Sequence, residues 1–275
     1  MIWVLPALMA GKAAATLWLA RGQVNDNDVP VSKDLFPESA PRTAMAIWAH
    51  PDDEITSAGT LSAMARSGAE LTLVYLTAGE AAKHPHYSPK ELAEVRRQEA
   101  EAAGRTLGAR HVAVLSYPDG GLPGHDGEMV KAEIAELIAR FEPSLIISFD
   151  EQVGFYGHRD HVQTGRWVRE VVEAGAPSVR RLYQATLPRQ MIALALKLVQ
   201  AFRDQYPKEP EAGLPAPTVA VNITRQAAVK RALLDVHVSQ AAVVDDVQPF
   251  ARKAPPWLYY RLFDREYFTL VVERA

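Results

Sequence analysis

The chain has 275 residues, 48% hydrophobic and 23% charged, with a net charge of -3, so it can build a large core and offers no basic footprint for nucleic acid. It contains no cysteine, which excludes a disulfide framework, a thiolate metal site and a cysteine nucleophile. Any metal must be held by His, Asp or Glu.

Residues 1–20, MIWVLPALMAGKAAATLWLA, are mostly apolar, and a polar, Pro-containing stretch then runs to about Arg42. A spanning helix needs ~20 apolar residues. Lys12 interrupts this run, at a cost of roughly 3 kcal/mol near a helix centre. The marks of a secretory signal, basic residues ahead and a small-residue cleavage site behind, are not clear here. Two readings stay open: an amphipathic helix packed on the domain or on a partner, and a membrane tether whose Arg21 flank keeps the following domain cytoplasmic. Residues 1–43 therefore read as an apolar segment and linker, and residues 44–275 as a single domain.

From Ala44 the pattern alternates. A β-type run over 44–49 leads to apolar residues at helical spacing over 55–67, then to a second strand, ELTLVYLT, at 70–77. Ser88 caps a long helix that ends at Gly108. Strand 111–117, a helix opened by Asp126, and strand SLIISFD at 144–150 follow. The last has no polar face, which suits a central parallel strand covered on both sides. Helix 161–174, strand 181–186, a helical region to about Tyr206, strand 218–223, helix 225–240, and a final helix and strand within 259–274 complete the pattern. This alternation predicts a Rossmann-like α/β fold, an open, mostly parallel sheet with helices on both faces.

In such sheets ligands sit beyond the carboxyl ends of the strands. Four predicted strands deliver chemistry there: AHPDDE at 49–54, TAGE at 77–80, YPDGG at 117–121, and DEQVGFYGHRDH at 150–161. Zinc accepts imidazole and carboxylate, and a catalytic zinc typically keeps three protein ligands and an open fourth position. His50 and Asp53 from one turn, with His161 from another, would make such a set. An acid after a strand is often only a helix cap. The conjunction of two histidine-acid clusters at one rim favours the metal site.

AHPDDE together with YGHRDH at 156–161 resembles the LmbE-like (PIG-L-like) N-acetylglucosaminyl deacetylases, zinc-dependent amidohydrolases on a Rossmann-like fold. The resemblance covers roughly residues 44–240 and extends to TAGE, RRQE from Arg96, PDGGL and HVSQ from His237. It implies one Zn2+ per chain on His50, Asp53 and His161, and Asp52 as general base. It implies His158 as electrophile or general acid, aided by Tyr156 and tuned by Asp160. Glu80, Arg96 and Asp119 match positions at or near the sugar; for Arg96, an exposed helix residue paired with Glu91 or Glu99 is an equal reading. Glu54 is left with a supporting or helix-start position. Arg159 stands where the family's second motif usually has proline, and the 40-odd residues before the first strand are a second departure.

The function implied is removal of acetyl from a small N-acetylglucosamine conjugate, in a cytoplasmic protein with membrane association through residues 1–20 if these form a tether. The alternatives are a catalytically silent sugar-binding or scaffold protein, and a metal hydrolase of another amide or ester. Oligomeric state is left open.

Overall fold

The computed structural model describes residues 16–209 and 213–274. Among the described residues, eight strands form one sheet: β1 (Val31–Ser32), β2 (Thr43–Trp48), β3 (Glu70–Thr77), β4 (His111–Tyr117), β5 (Leu145–Phe149), β6 (Arg181–Thr186), β7 (Val219–Asn222) and β8 (Arg265–Glu273). Their order is β1-β7-β8-β6-β5-β2-β3-β4. Only β8 runs antiparallel to its neighbours. It starts beside the last residue of β7, where Asn222 pairs with Arg265, so it has to run back along the sheet. The expected α/β architecture, mostly parallel, is what the chain adopts.

Besides a helical turn at Gly154–Gly157 and the helical residues 16–24, the helices among the described residues are α1 (Ala58–Arg66), α2 (Pro89–Leu107), α3 (Gly127–Phe141), α4 (Arg159–Gly175), α5 (Arg189–Leu198), α6 (Gln200–Gln205), α7 (Ala227–Leu234), α8 (Ala241–Val247) and α9 (Pro256–Leu262). Side chains alternate across a strand, and here both faces are covered. Ala44, Ala46 and Trp48 of β2 join a core with α1, α2, α7 and α9, whereas Met45 and Ile47 join one with α3 and α4. This is why the central strands carry no polar face.

The chain after β2 goes to β3 on one side, while β5 pairs with the other side of β2. The order of strands thus reverses between β2 and β5. A crevice opens at such a point beyond the carboxyl ends, and the motifs that follow β2 and β5 meet in it.

Three local features differ from the periodicity. The turn after β2 is a 3-10 segment, Asp53–Ser57, so α1 starts at Ala58 rather than at 55. The helix expected over 225–240 ends at Leu234, because the following turns are taken by other partners: Ser239 donates from N and Oγ to the Glu99 carboxylate at 2.7 and 2.6 Å. The sheet also begins before Ala44: β1 pairs with β7, and Arg21 reaches Asp264 at 2.7 Å.

Residues 16–24 are helical. No helix among the described residues is long and apolar enough to cross a membrane. Most of the apolar run at 1–20, on which the tether reading rests, lies outside the described residues.

Candidate metal centre and active site

β2 ends at Trp48, and the next residues fold into a tight turn. His50 N donates to Asp53 Oδ2 at 2.8 Å, which points the acid back at the histidine. Between them Asp52 takes a left-handed backbone, φ 106°. Such a conformation is uncommon outside glycine and has to be held by its surroundings. Glu54 does so on one side: its Oε2 accepts from Asp52 N at 3.0 Å and from the Tyr75 hydroxyl at 3.0 Å. Arg96 does so on the other side, donating to the carbonyls of Pro51 and Gly79 and lying 3.2 Å from Asp52 Oδ2. Arg96 is buried, so the reading as an exposed helix residue fails.

β5 ends at Phe149, and Asp150 folds the loop that follows. Its carboxylate accepts from the backbone N–H groups of Gln152, Val153 and Phe155 at 3.0, 2.6 and 2.8 Å. That loop brings the Gly154 carbonyl within 3.1 Å of His161 Nδ1. The His161 ring also stacks on Phe149, centroids 4.0 Å apart. Its Nε2 is thereby left facing the β2 turn.

Two imidazole nitrogens and the two oxygens of one carboxylate converge there. His161 Nε2 lies 3.1 Å from Asp53 Oδ1 and 3.3 Å from His50 Nδ1, and His50 Nδ1 lies 3.4 Å from Asp53 Oδ2. A tetrahedral zinc with bonds of about 2.0–2.1 Å has ligand atoms roughly 3.3–3.4 Å apart. His50, Asp53 and His161 offer the donor chemistry that zinc takes, the Asp53 carboxylate facing the two histidines through different oxygens. All three residues are buried.

The far side of His50 is equally specific. Its Nε2 lies 2.9 Å from Asp119 Oδ1 and 3.4 Å from Asp160 Oδ2. A carboxylate on the outer nitrogen fixes the ring orientation and tautomer of a metal-ligating histidine. Asp119 is itself held by the Ala81 amide at 2.9 Å, and donates its own N–H to Glu80 Oε1 at 3.0 Å. Asp160 Oδ2 accepts from Gly120 N at 2.7 Å. Glu80, Asp119 and Asp160 are thus joined in a network behind His50. Asp160, expected beside His158, makes its hydrogen-bond contacts with His50 and Gly120.

His158 stands in front of the triad. Its ring centroid is 4.9 Å from His50 and 4.6 Å from His161, and its Nδ1 is buried without a hydrogen-bond partner. Its nitrogen also falls within 4.8 Å of the ligand atoms of His50 and His161. Asp53 approaches the two histidines at 3.1 Å from His161 and 3.4 Å from His50. Tyr156 presents its ring edge-on to His161 at 5.2 Å.

Burial governs the charges. It pushes Asp52 up to about 6, against the Arg96 guanidinium, with Asp53 and Glu54 adding to the rise. It pushes His158 down to about 4, helped by His161 and His50. Burial raises Asp53 too, but His161 and His50 outweigh it and hold that carboxyl far below the usual range. For His50, burial opposes the charge while Asp119, Asp160 and Asp53 raise its pKa well above the usual value. For Tyr156, burial first and then Asp53 and Asp52 raise the phenol. An excess of anionic groups around a histidine pair is what a bound cation would neutralise.

Residues 45–172 match the family model PIG-L, GlcNAc-PI de-N-acetylase. A 1D-myo-inositol 2-acetamido-2-deoxy-alpha-D-glucopyranoside deacetylase of Saccharomonospora viridis is 30% identical, over 73% of this chain and 85% of that protein. The chain belongs to the PIG-L family. A Kineococcus radiotolerans protein of the same description is 27% identical over 97% of this chain and 89% of its own length. Among solved structures, N,N'-diacetylchitobiose deacetylase from Pyrococcus horikoshii superposes with a TM-score of 0.59 at 23% identity, covering 84% of each chain. The 4-carboxy-2-hydroxymuconate hydratase of Pseudomonas putida superposes at 0.62 with 18% identity, covering 85% of this chain and 97% of that one. At these identities the superpositions show the PIG-L fold alone, and a hydratase on it shows that chemistry has to be argued from the site.

Sequence reasoning missed one part of this PIG-L centre. Glu54 Oε1 faces His237 Nε2 at 2.5 Å in the fully buried interior. HVSQ was visible as a family-like stretch, but nothing local links His237 to Glu54, 183 positions away.

Proposed function

We propose that this chain is a metal-dependent N-deacetylase, hydrolysing the acetamide of a small N-acetylglucosamine-containing conjugate. The observation that carries the reading is the convergence of His50, Asp53 and His161 with the carboxylate of Asp52 on the adjacent residue. The curated relatives, described as deacetylases of an acetamido sugar joined to inositol, support the reaction class.

His50, Asp53 and His161 would hold one Zn2+. When bound, such an ion acidifies water and polarises a carbonyl. Asp52 takes the proton of the attacking water. Its pKa of about 6 lies near neutral, where a general base is effective. Arg96 and Glu54 fix the position of that carboxylate. As the amide carbon becomes tetrahedral, negative charge develops on its oxygen. His158 and the Tyr156 hydroxyl are the donors we assign to it. His158, in front of the triad with its buried Nδ1 unpartnered, would act there as electrophile or general acid. The protonated Asp52 then returns its proton to the nitrogen as the C–N bond breaks. Acetate and a free amine result. Glu80, Asp119 and Asp160 act from behind His50, keeping its ring in the ligating orientation.

The test is acetate release, with detection of the free amine, from a panel of N-acetylglucosaminides. Zinc-loaded protein is expected to turn over, and Asp52→Asn to keep zinc and lose turnover. Full turnover in Asp52→Asn, or in metal-stripped protein, would overturn the assignment.

A further inference from the structure

The turn that carries Asp52 and Asp53 runs into a helix without a side-chain cap of its own. Ser57, at the N-terminus of α1, makes no capping hydrogen bond, and neither does Asp52 before the 3-10 segment Asp53–Ser57. The first N–H groups of a helix have no partner within it, and burying them unpaired is costly. Here the partner comes from 207 positions away. The Glu266 carboxylate, near the start of β8, accepts from Gly59 N at 2.9 Å through Oε1 and from Thr60 N at 2.7 Å through Oε2.

Lys230 on α7 completes the arrangement. Its Nζ lies 2.5 Å from Glu266 Oε1 and donates to the Ile55 carbonyl at 3.1 Å. Lys230, Glu266, Ile55 and Thr60 are all buried. A buried ion pair adds little net stability over apolar side chains of the same volume. What this pair supplies is direction, because its two side chains hold three backbone groups within 55–60.

Those groups follow directly on the two acids. Ile55 N donates to the Asp52 carbonyl at 3.1 Å, and Thr56 Oγ1 donates to the Asp53 carbonyl at 2.8 Å. The pair is thus connected through the turn to the backbone of both. Asp53 faces His161 and His50 through different oxygens, so a tilt of its backbone would disturb both contacts. Gly59 permits the close approach: a Cβ there would lie 3.1 Å from Glu266 Oε1 and 2.5 Å from Ile223 Cγ2.

We propose that Lys230 and Glu266 are positioning residues for the metal centre, fixing the turn Asp53–Ser57 so that Asp53 faces His50 and His161. The inference rests on the reading of those three residues as zinc ligands in a deacetylase, and its test reads zinc as well as turnover.

The experiment compares the full chain with two variants of the pair. Lys230→Met/Glu266→Gln removes both charges together, and Glu266→Asp keeps the charge but withdraws the carboxylate by one methylene. Val172→Ala, in the core on the other face of the sheet, is the control for lost stability alone. Zinc affinity is read by competition with a chelator, kcat and KM by acetate release, and folding by thermal unfolding. Both variants of the pair are expected to bind zinc about 10- to 100-fold more weakly, the effect of losing a group that supports a ligand. At saturating zinc, kcat is expected to fall at least about tenfold with KM unchanged, as a displaced catalytic group requires. Val172→Ala is expected to keep wild-type affinity and kcat. A folded double variant with wild-type zinc affinity and kcat would overturn the proposal, as would an equal loss in Val172→Ala. If the double variant does not fold, Glu266→Asp decides by the same readings. If the wild type binds zinc but releases acetate from no N-acetylglucosaminide, the deacetylase reading fails, and the zinc affinities alone decide the role of the pair.

Discussion

His237 Nε2 and Glu54 Oε1 lie 2.5 Å apart, both side chains fully buried, and the other oxygen of Glu54 holds the amide of Asp52. The pair thus connects the chain after α7 to the strained backbone of the base. Glu54→Gln preserves shape but weakens this clamp, and a misplacement of about 1 Å at a catalytic group costs roughly a hundredfold. We expect kcat to fall by about that factor with zinc content unchanged. Wild-type kcat in Glu54→Gln would show that Asp52 is placed without it. His237→Ala leaves a buried acid without its partner and should lower stability by about 3–5 kcal/mol, read by denaturant unfolding.

Removing a ligand and removing the base should have separable outcomes. His50→Ala and His161→Ala are expected to lose bound zinc on gel filtration. Asp52→Asn is expected to retain it while kcat falls by about a hundredfold to ten-thousandfold, the range of a general base. Retention of zinc and turnover in either histidine variant would sink the ligand assignment.

Asp119 reaches His50 Nε2 at 2.9 Å without belonging to the proposed ligand set. Asp119→Ala should weaken zinc affinity about 10- to 100-fold, as loss of an outer carboxylate on a ligating histidine does. Competition with a chelator measures this. Unchanged affinity together with a raised KM would return Asp119 to the sugar role that the motif alone suggests.

His237 makes the stability of the metal-free protein depend on pH. Burial lowers its pKa, but Glu54, with Asp52 and Glu99 behind it, outweighs burial and holds it above the usual 6.5. A raised folded pKa adds stability that is complete below about pH 6.5 and is lost as pH climbs through the folded value. The Tm advantage of the wild type over His237→Gln should therefore shrink as pH rises above about 6.5. An advantage that grows with pH would show that His237 is neutral in the fold.

Gly79 has φ 71°, and a Cβ there would clash with the Arg96 guanidinium. Gly79→Ala combines left-handed strain with displacement of the group that faces Asp52. Lower kcat with near-normal zinc content is expected, and an unaltered kcat would show that Arg96 does not position the base.

The alternation of strands and helices, the two-sided apolar strands and the paired motifs are local properties, so the α/β architecture and the rim carrying His50, Asp53 and His161 were legible in the residues alone. Periodicity reports which face a side chain takes and where an element ends, and the proposed ligands sit where such ends are expected. What the residues could not disclose are the partnerships made across the fold. Asp160 is one position from Arg159 and two from His158, yet its carboxylate turns to His50 and Gly120, because the strand order reverses between β2 and β5. His237 meets Glu54 only because the chain leaves the helix at Leu234 and folds back over the centre. Each is a contact between distant residues with no shared local period, and burial of both partners against a common core brings them together.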